Sequence, residues 1–282
     1  LGFALAHEMM HAFDDQGRRN RLDPEGNLYK AVASTEQQQA SYVSAYEKKT
    51  NEDGNFSDLT PFLNDMHAQS RQNLVSFFSK RVDQDRLLDF QLGQTLTNNS
   101  DYPHKTHYLY HDPGSDRWMM LTWDMDLTYG KIWDGTYGGV LHDKMHTPGN
   151  NPWYTTSVDG GLGNHLLDKF FSQAGTYYRR AYLVRLWDAL QEKYTSEFYE
   201  GRSAHCRELL QEEQADDIAV WGRSAATADD PRAPKEFEPN LQRVLDHVKS
   251  RRQYLLNYLT TRSKFTGHDR LKITELYYNP PG

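Results

Sequence analysis

Two groups of residues in this 282-residue chain have the types and spacing to do chemistry. The first is HEMMH, His7 to His11, inside LGFALAHEMMHAFDDQG. Gly2 to Phe13 is apolar and rich in helix formers, so His7 and His11, four apart, share one helical face. Two imidazoles at that spacing can hold one Zn²⁺, and Glu8 is placed to act as general base on a metal-bound water. A catalytic zinc needs a third protein ligand; without one the stretch reads as a buried amphipathic helix carrying two histidines, or as a foreign start joined to another protein. The second group is Asp101, Asp124 and Asp126. THYLYHD and RWMMLTWDM, joined by PGSD, predict a β-hairpin. Asp101 leads into its first strand, and Asp124 and Asp126 emerge from its second, so the three carboxylates can converge at one end. Clustered Asp oxygens suit a hard cation such as Mg²⁺, and Mg²⁺ on Asp is the usual equipment for handling nucleotide phosphates. The bland alternative is that they are strand-end aspartates capping turns.

The elements that would carry these groups follow from local pattern. DPEGNLYKA, Asp23 to Ala31, reads as a turn entering a short strand. Thr35 to Lys48 reads as a polar helix. Asp58 is placed to cap a helical stretch running to about Lys80 with a break near His67, and Asp83 to cap another from Gln84 to Leu96. Leu127 to Gly163, rich in Gly, Asn, Pro and Trp, predicts a long irregular segment. Helical spacing returns from His165 to about Tyr199, from Cys206 to Trp221, and from Pro239 to about Thr260, with a linker-like stretch between Arg223 and Glu238. The order is a mixed α+β half followed by an α-helical half.

Composition narrows the classes. The chain is 37% hydrophobic and 13% aromatic, enough for a core, with mean hydropathy −0.86. No apolar run approaches the roughly 20 residues that span a bilayer, so no transmembrane segment is expected. A net charge of −7 offers no electrostatic footprint for nucleic acid. The single cysteine, Cys206, excludes an internal disulfide but does not fix the compartment. The chain opens on Leu1 and is expected to be a fragment, with any targeting segment upstream.

Several blocks carry a family resemblance. GNLYKA, YEKKTNED, VDQDRLLDF, NNSDYPHKTHYLYHDPGSDRW and LTWDMDLTYGK, in that order, together resemble the CotH family of atypical protein kinases from about Arg19 to about Leu259. The resemblance implies a divergent protein-kinase-like α+β fold with a truncated N-lobe, a β-hairpin active site and a helical C-terminal half. It implies transfer of the ATP γ-phosphoryl group to Ser or Thr of a protein, with ATP and Mg²⁺ as cofactors. On that pattern Asp101 matches the catalytic-loop aspartate and Asp124 the metal-binding aspartate, with Asp126 beside it as a further metal group. Lys30 of GNLYK is the candidate phosphate contact, a point charge at a strand end. Trp123, Tyr108 and Tyr110 are read as hairpin packing. After DYPHK the family commonly has Asn and an aromatic, where this chain has Thr106 and His107.

LGFALAHEMMHAFDDQGR resembles the active-site helix of neprilysin-like zinc metallopeptidases. Their third ligand is a Glu in an ExxxD helix downstream; here Glu47 leads to Asn51, Glu52 to Phe56, and the next glutamate is Glu192. The metzincin extension is also absent, since Asp14 and Gly17 stand at its Gly and final His. LKITELYYNPPG, Leu271 to Gly282, resembles the opening strand of a lamin-tail-like domain. The expected organisation is therefore a zincin-like remnant over 1–18, a kinase-like domain over 19–262, and a truncated lamin-tail-like start over 268–282. The rival functions are a zinc peptidase through His7, Glu8 and His11, and a non-catalytic pseudokinase serving as a coat or surface scaffold. Relatives are often bacterial envelope, exported or spore-coat proteins, so an extracytoplasmic location and a coat or envelope protein substrate are expectations from resemblance.

Overall fold

The computed structural model describes residues 23, 25–32, 43–51, 55–99, 107–125, 127–131, 164–174, 176–210, 212–213, 216 and 237–261. The sheet is built around the strand in GNLYKA. β1 (Asn27–Ala31) turns Tyr29 and Ala31 inward, both fully buried, and leaves Leu28 and Lys30 on the other face. β2 (Tyr46–Lys48) pairs on one side of it, and β3 (His107–Asp112) on the other; β4 (Arg117–Thr122) completes the hairpin with β3. All pairings are antiparallel, in the order β2-β1-β3-β4. The predicted hairpin is present with PGSD at its tip.

The polar helix expected over Thr35–Lys48 is corrected in its described part. Val43–Ala45 is a single 3₁₀ turn and Tyr46–Lys48 is strand. Tyr46 is buried, its hydroxyl 3.0 Å from His107 Nε2 and its ring edge-on to that imidazole. Non-local pairing with β1 and this buried contact override the local helix preference.

Two of the helices begin at the residues the capping rules select. α1 (Leu59–Ala68) is capped by Asp58, whose carboxylate accepts from Leu59 N at 2.8 Å, and ends just past His67. After α2 (Leu74–Arg81), α3 (Gln84–Thr97) starts on Asp83, which accepts from Arg86 N at 3.1 Å. The joint between α2 and α3 is tied to β4, where Asp83 N donates to Trp118 O at 2.9 Å. A turn at His165–Leu167 runs on as a π-helix, Asp168–Gln173, into α4 (Thr176–Glu192). α5 is Ser196–Leu210 and α6 Phe237–Thr261. The expected boundaries at Tyr199 and Cys206 are thus shifted. Thr195 Oγ1 accepts from Phe198 N at 3.2 Å and starts a new helix there, which carries through Cys206 without a break.

Trp118 is the centre of the sheet-side core. Phe62 of α1 and His111 of β3 stack on it, each at 4.6 Å, and Tyr29 lies at 5.9 Å. α3 joins the two halves, packing on β4, α4 and α6. The architecture is α+β. Among the described residues no helix is long and apolar enough to cross a membrane.

Candidate active site

His107 stands opposite Thr122 in the hairpin register, so the chain enters β3 at the same end where it leaves β4. Asp124 lies two residues beyond that pair, exposed, with φ 57°. A left-handed backbone at a residue other than glycine is most tolerable for Asp and Asn, and such residues gather at functional sites. Two more lie close by in the chain path: Asn98 at φ 54° and Tyr129 at φ 52°.

The segment after β4 is docked on the last turn of α3. Buried Met125 receives the side-chain amides of Gln94 and Asn99 on its Sδ, at 3.6 and 3.3 Å. Thr128 Oγ1 donates to Met125 O at 2.8 Å, and Tyr129 N donates to Thr97 O at 2.7 Å. Behind this segment, Tyr129 meets His247 edge-on at 5.7 Å and lies 3.4 Å from Tyr199 through their hydroxyls. Burial, then the charge of Arg251, push the His247 imidazole down to about 3, so it is neutral; burial raises the Tyr129 phenol.

Lys30 and Asp124, the described members of the predicted site, come to one end of the sheet. Lys30 Nζ lies 5.3 Å from the centre of the Trp123 ring, and Trp123 immediately precedes Asp124. Trp123 is 39% exposed, which corrects its reading as hairpin core. It follows the last paired residue of β4 and stands on the outer face with Lys30 and the half-buried Tyr108, whose ring meets it edge-on at 5.1 Å. Tyr110 does pack, buried against the turn before β1. Asp101, Thr106 and Asp126 lie outside the described residues, as do His7, Glu8 and His11.

The chemistry of the described donors fits a metal-bound phosphate: the exposed Asp124 carboxylate offers hard oxygens, and the Lys30 ammonium, over the neighbouring Trp123 ring, is a cation that can contact anionic oxygen. Among the described residues, no three His, Cys, Asp or Glu side chains gather to hold a metal. Residues not anticipated are Gln94, Asn99, Met125 and Arg251. A signal for Arg251 was present, because it falls on the apolar stripe of α6, three residues after Val248 and four before Leu255.

An antiparallel sheet joined by one central helix to a helical half, with an acidic residue in left-handed backbone at the hairpin end, makes an α+β protein with a candidate site at that end. Comparison with protein families matches residues 7–255 to CotH, described as CotH kinase protein. The chain belongs to the CotH kinase family, and that membership suggests a kinase-like, group-transferring function. The matched range opens at His7 and so includes HEMMH. No curated protein matches the chain.

Proposed function

We propose that this protein transfers the γ-phosphoryl group of ATP to a Ser or Thr hydroxyl of a protein, with Mg²⁺. The observation that supports this reading is the approach of Lys30 to Trp123, next to Asp124, at the end of the hairpin. Lys30 contacts the phosphate oxygens as a point charge. Asp101 orients the substrate hydroxyl and accepts its proton as the new oxygen–phosphorus bond forms. The bond between the γ-phosphorus and the bridging oxygen breaks, and ADP leaves. Asp124 and Asp126 supply carboxylate oxygens for Mg²⁺, whose chemistry when bound is to offset negative charge on the triphosphate.

Calorimetric titration of Mg-ATP into the chain tests this reading. Asp124→Ala is expected to abolish metal-dependent binding, and Lys30→Ala to weaken it by about tenfold, roughly one lost charge contact. Wild-type affinity retained in Asp124→Ala overturns the assignment.

A further inference from the structure

The last four carbonyls of an α-helix have no acceptor role within it and must find donors elsewhere. At the end of α3 three of the four carbonyls take donors from far along the chain. Gln94 O accepts from the amides of Asn98 and Asn99 in a left-handed cap. Thr95 O accepts both Nε and Nη2 of Arg251, at 3.1 and 2.9 Å. Leu96 O accepts from the Tyr194 hydroxyl at 2.6 Å, and Thr97 O from Tyr129 N at 2.7 Å. The Tyr182 hydroxyl donates to Thr95 Oγ1 at 2.6 Å.

Arg251 is the costly member of this set. It is 0% exposed, and taking a guanidinium out of water is so unfavourable that an apolar residue of similar volume commonly gives equal or better stability. What the cation gains is the negative end of a helix and a forked grip on one carbonyl. That carbonyl lies one turn before the place where the chain leaves α3 toward Asp101. The same turn of α3 holds the Met125–Tyr129 segment, which begins one residue after Asp124.

We infer that Arg251 is a positioning residue: by gripping Thr95 O it fixes the final turn of α3, and with it the Met125–Tyr129 segment docked on that turn, next to Asp124. The catalytic consequence rests on the kinase reading given above; the mechanical one does not. Arg252 provides a matched control, since it sits one residue along α6 and donates to a different helix, Nε to Leu190 O at 2.8 Å.

The test is hydrogen exchange on the full chain, paired with phosphoryl-transfer kinetics, for Arg251→Met, Arg251→Lys and Arg252→Gln. In Arg251→Met the amides of Asn98, Asn99 and Tyr129 are expected to exchange at least about tenfold faster, with the β3–β4 ladder unchanged. The same variant loses at least about tenfold in kcat, because the reacting groups are no longer held in register. Lysine, with one ammonium in place of the fork, gives a smaller rise at the same amides and carries the comparison if the methionine variant does not fold. Arg252→Gln moves neither readout. Wild-type exchange at those three amides in the Arg251 variants, or an equal rise in Arg252→Gln, overturns the proposal and leaves Arg251 a core filler. Absence of Mg-ATP binding by the wild type counts against the kinase reading alone, and the exchange comparison still decides the grip.

Discussion

Replacing Asp58 with Asn isolates one charge at the junction of sheet and α1. Asp58 accepts from Leu59 N as helix cap, from Asn27 Nδ2 at 2.9 Å, from the Tyr29 hydroxyl, and from His111 Nδ1 at 2.9 Å. The other nitrogen of His111 lies 3.0 Å from Asp116 Oδ1, and Arg81 Nε lies 3.8 Å from that carboxylate. Burial disfavours the imidazolium, but the two carboxylates prevail and raise the His111 pKa above the ordinary 6.5. For Asp58 burial acts upward, and the bonds from His111, Tyr29 and Asn27 outweigh it, holding the group well below the usual carboxylate range. A raised His111 contributes stability in full below pH 6.5 and loses it as pH climbs through its folded value; a depressed Asp58 contributes above pH 3.8 and loses it on acidification. The pair is therefore strongest between those limits. Asn caps a helix as well as Asp, so Asp58→Asn removes the charge-assisted bonds, a loss of about 2–3 kcal/mol at pH 5.5. Above the titration of His111 the ion pair is gone but the carboxylate still accepts from Tyr29 and Asn27, so the loss falls to about 1–2 kcal/mol. In a chain of this size the loss at pH 5.5 corresponds to a Tm lower by roughly 4 °C. Urea denaturation of both proteins at pH 5.5 and pH 9 measures the difference. A loss that is the same at both pH values, or below about 0.5 kcal/mol at pH 5.5, refutes the reasoning.

Two further outcomes are expected. Gly26→Ala puts a Cβ 2.2 Å from the Tyr110 hydroxyl oxygen and 2.4 Å from its ring, and Tyr110 is held by its bond to Asp23 O at 2.8 Å. Denaturation should show a loss of about 2–3 kcal/mol, largely recovered in the double variant with Tyr110→Ala measured against Tyr110→Ala alone. Zinc content of the purified chain by mass spectrometry is expected to be far below one ion per chain, and equal in wild type and His11→Ala; stoichiometric zinc lost in His11→Ala establishes the peptidase reading instead.

Local signals were enough for the elements that start on a capping side chain or turn on a loop motif. Asp58, Asp83 and the PGSD turn each act on groups within a few residues, so α1, α3 and the hairpin could be read directly from sequence. β2 could not, because Tyr46–Lys48 is a strand by virtue of β1 and of His107, 61 residues from Tyr46. The restart of the helix at Ser196 hangs on Thr195, one hydroxyl inside an otherwise continuous apolar pattern. Lys30 and Asp124 were found as chemistry; their approach through Trp123 was not, because an aromatic after a strand reads as packing until the face it stands on is known. The anchoring of the acidic segment was hidden more deeply. It depends on Sδ of Met125, on backbone carbonyls and on a buried cation, none of which carries a motif.

The bond from Arg251 to Thr95 spans 156 positions, and that from Tyr194 to Leu96 spans 98. Contacts so distant in sequence require long loops to close first, and they form late. During synthesis the hairpin can fold as soon as it emerges, yet in the turn of α3 from which the acidic loop departs Thr95 O stays open until α6 arrives. A nascent or C-terminally clipped chain therefore holds the sheet without the final setting of its acidic edge. Order of synthesis thereby becomes order of setting: the grip on Thr95 is made only once the last described helix has docked.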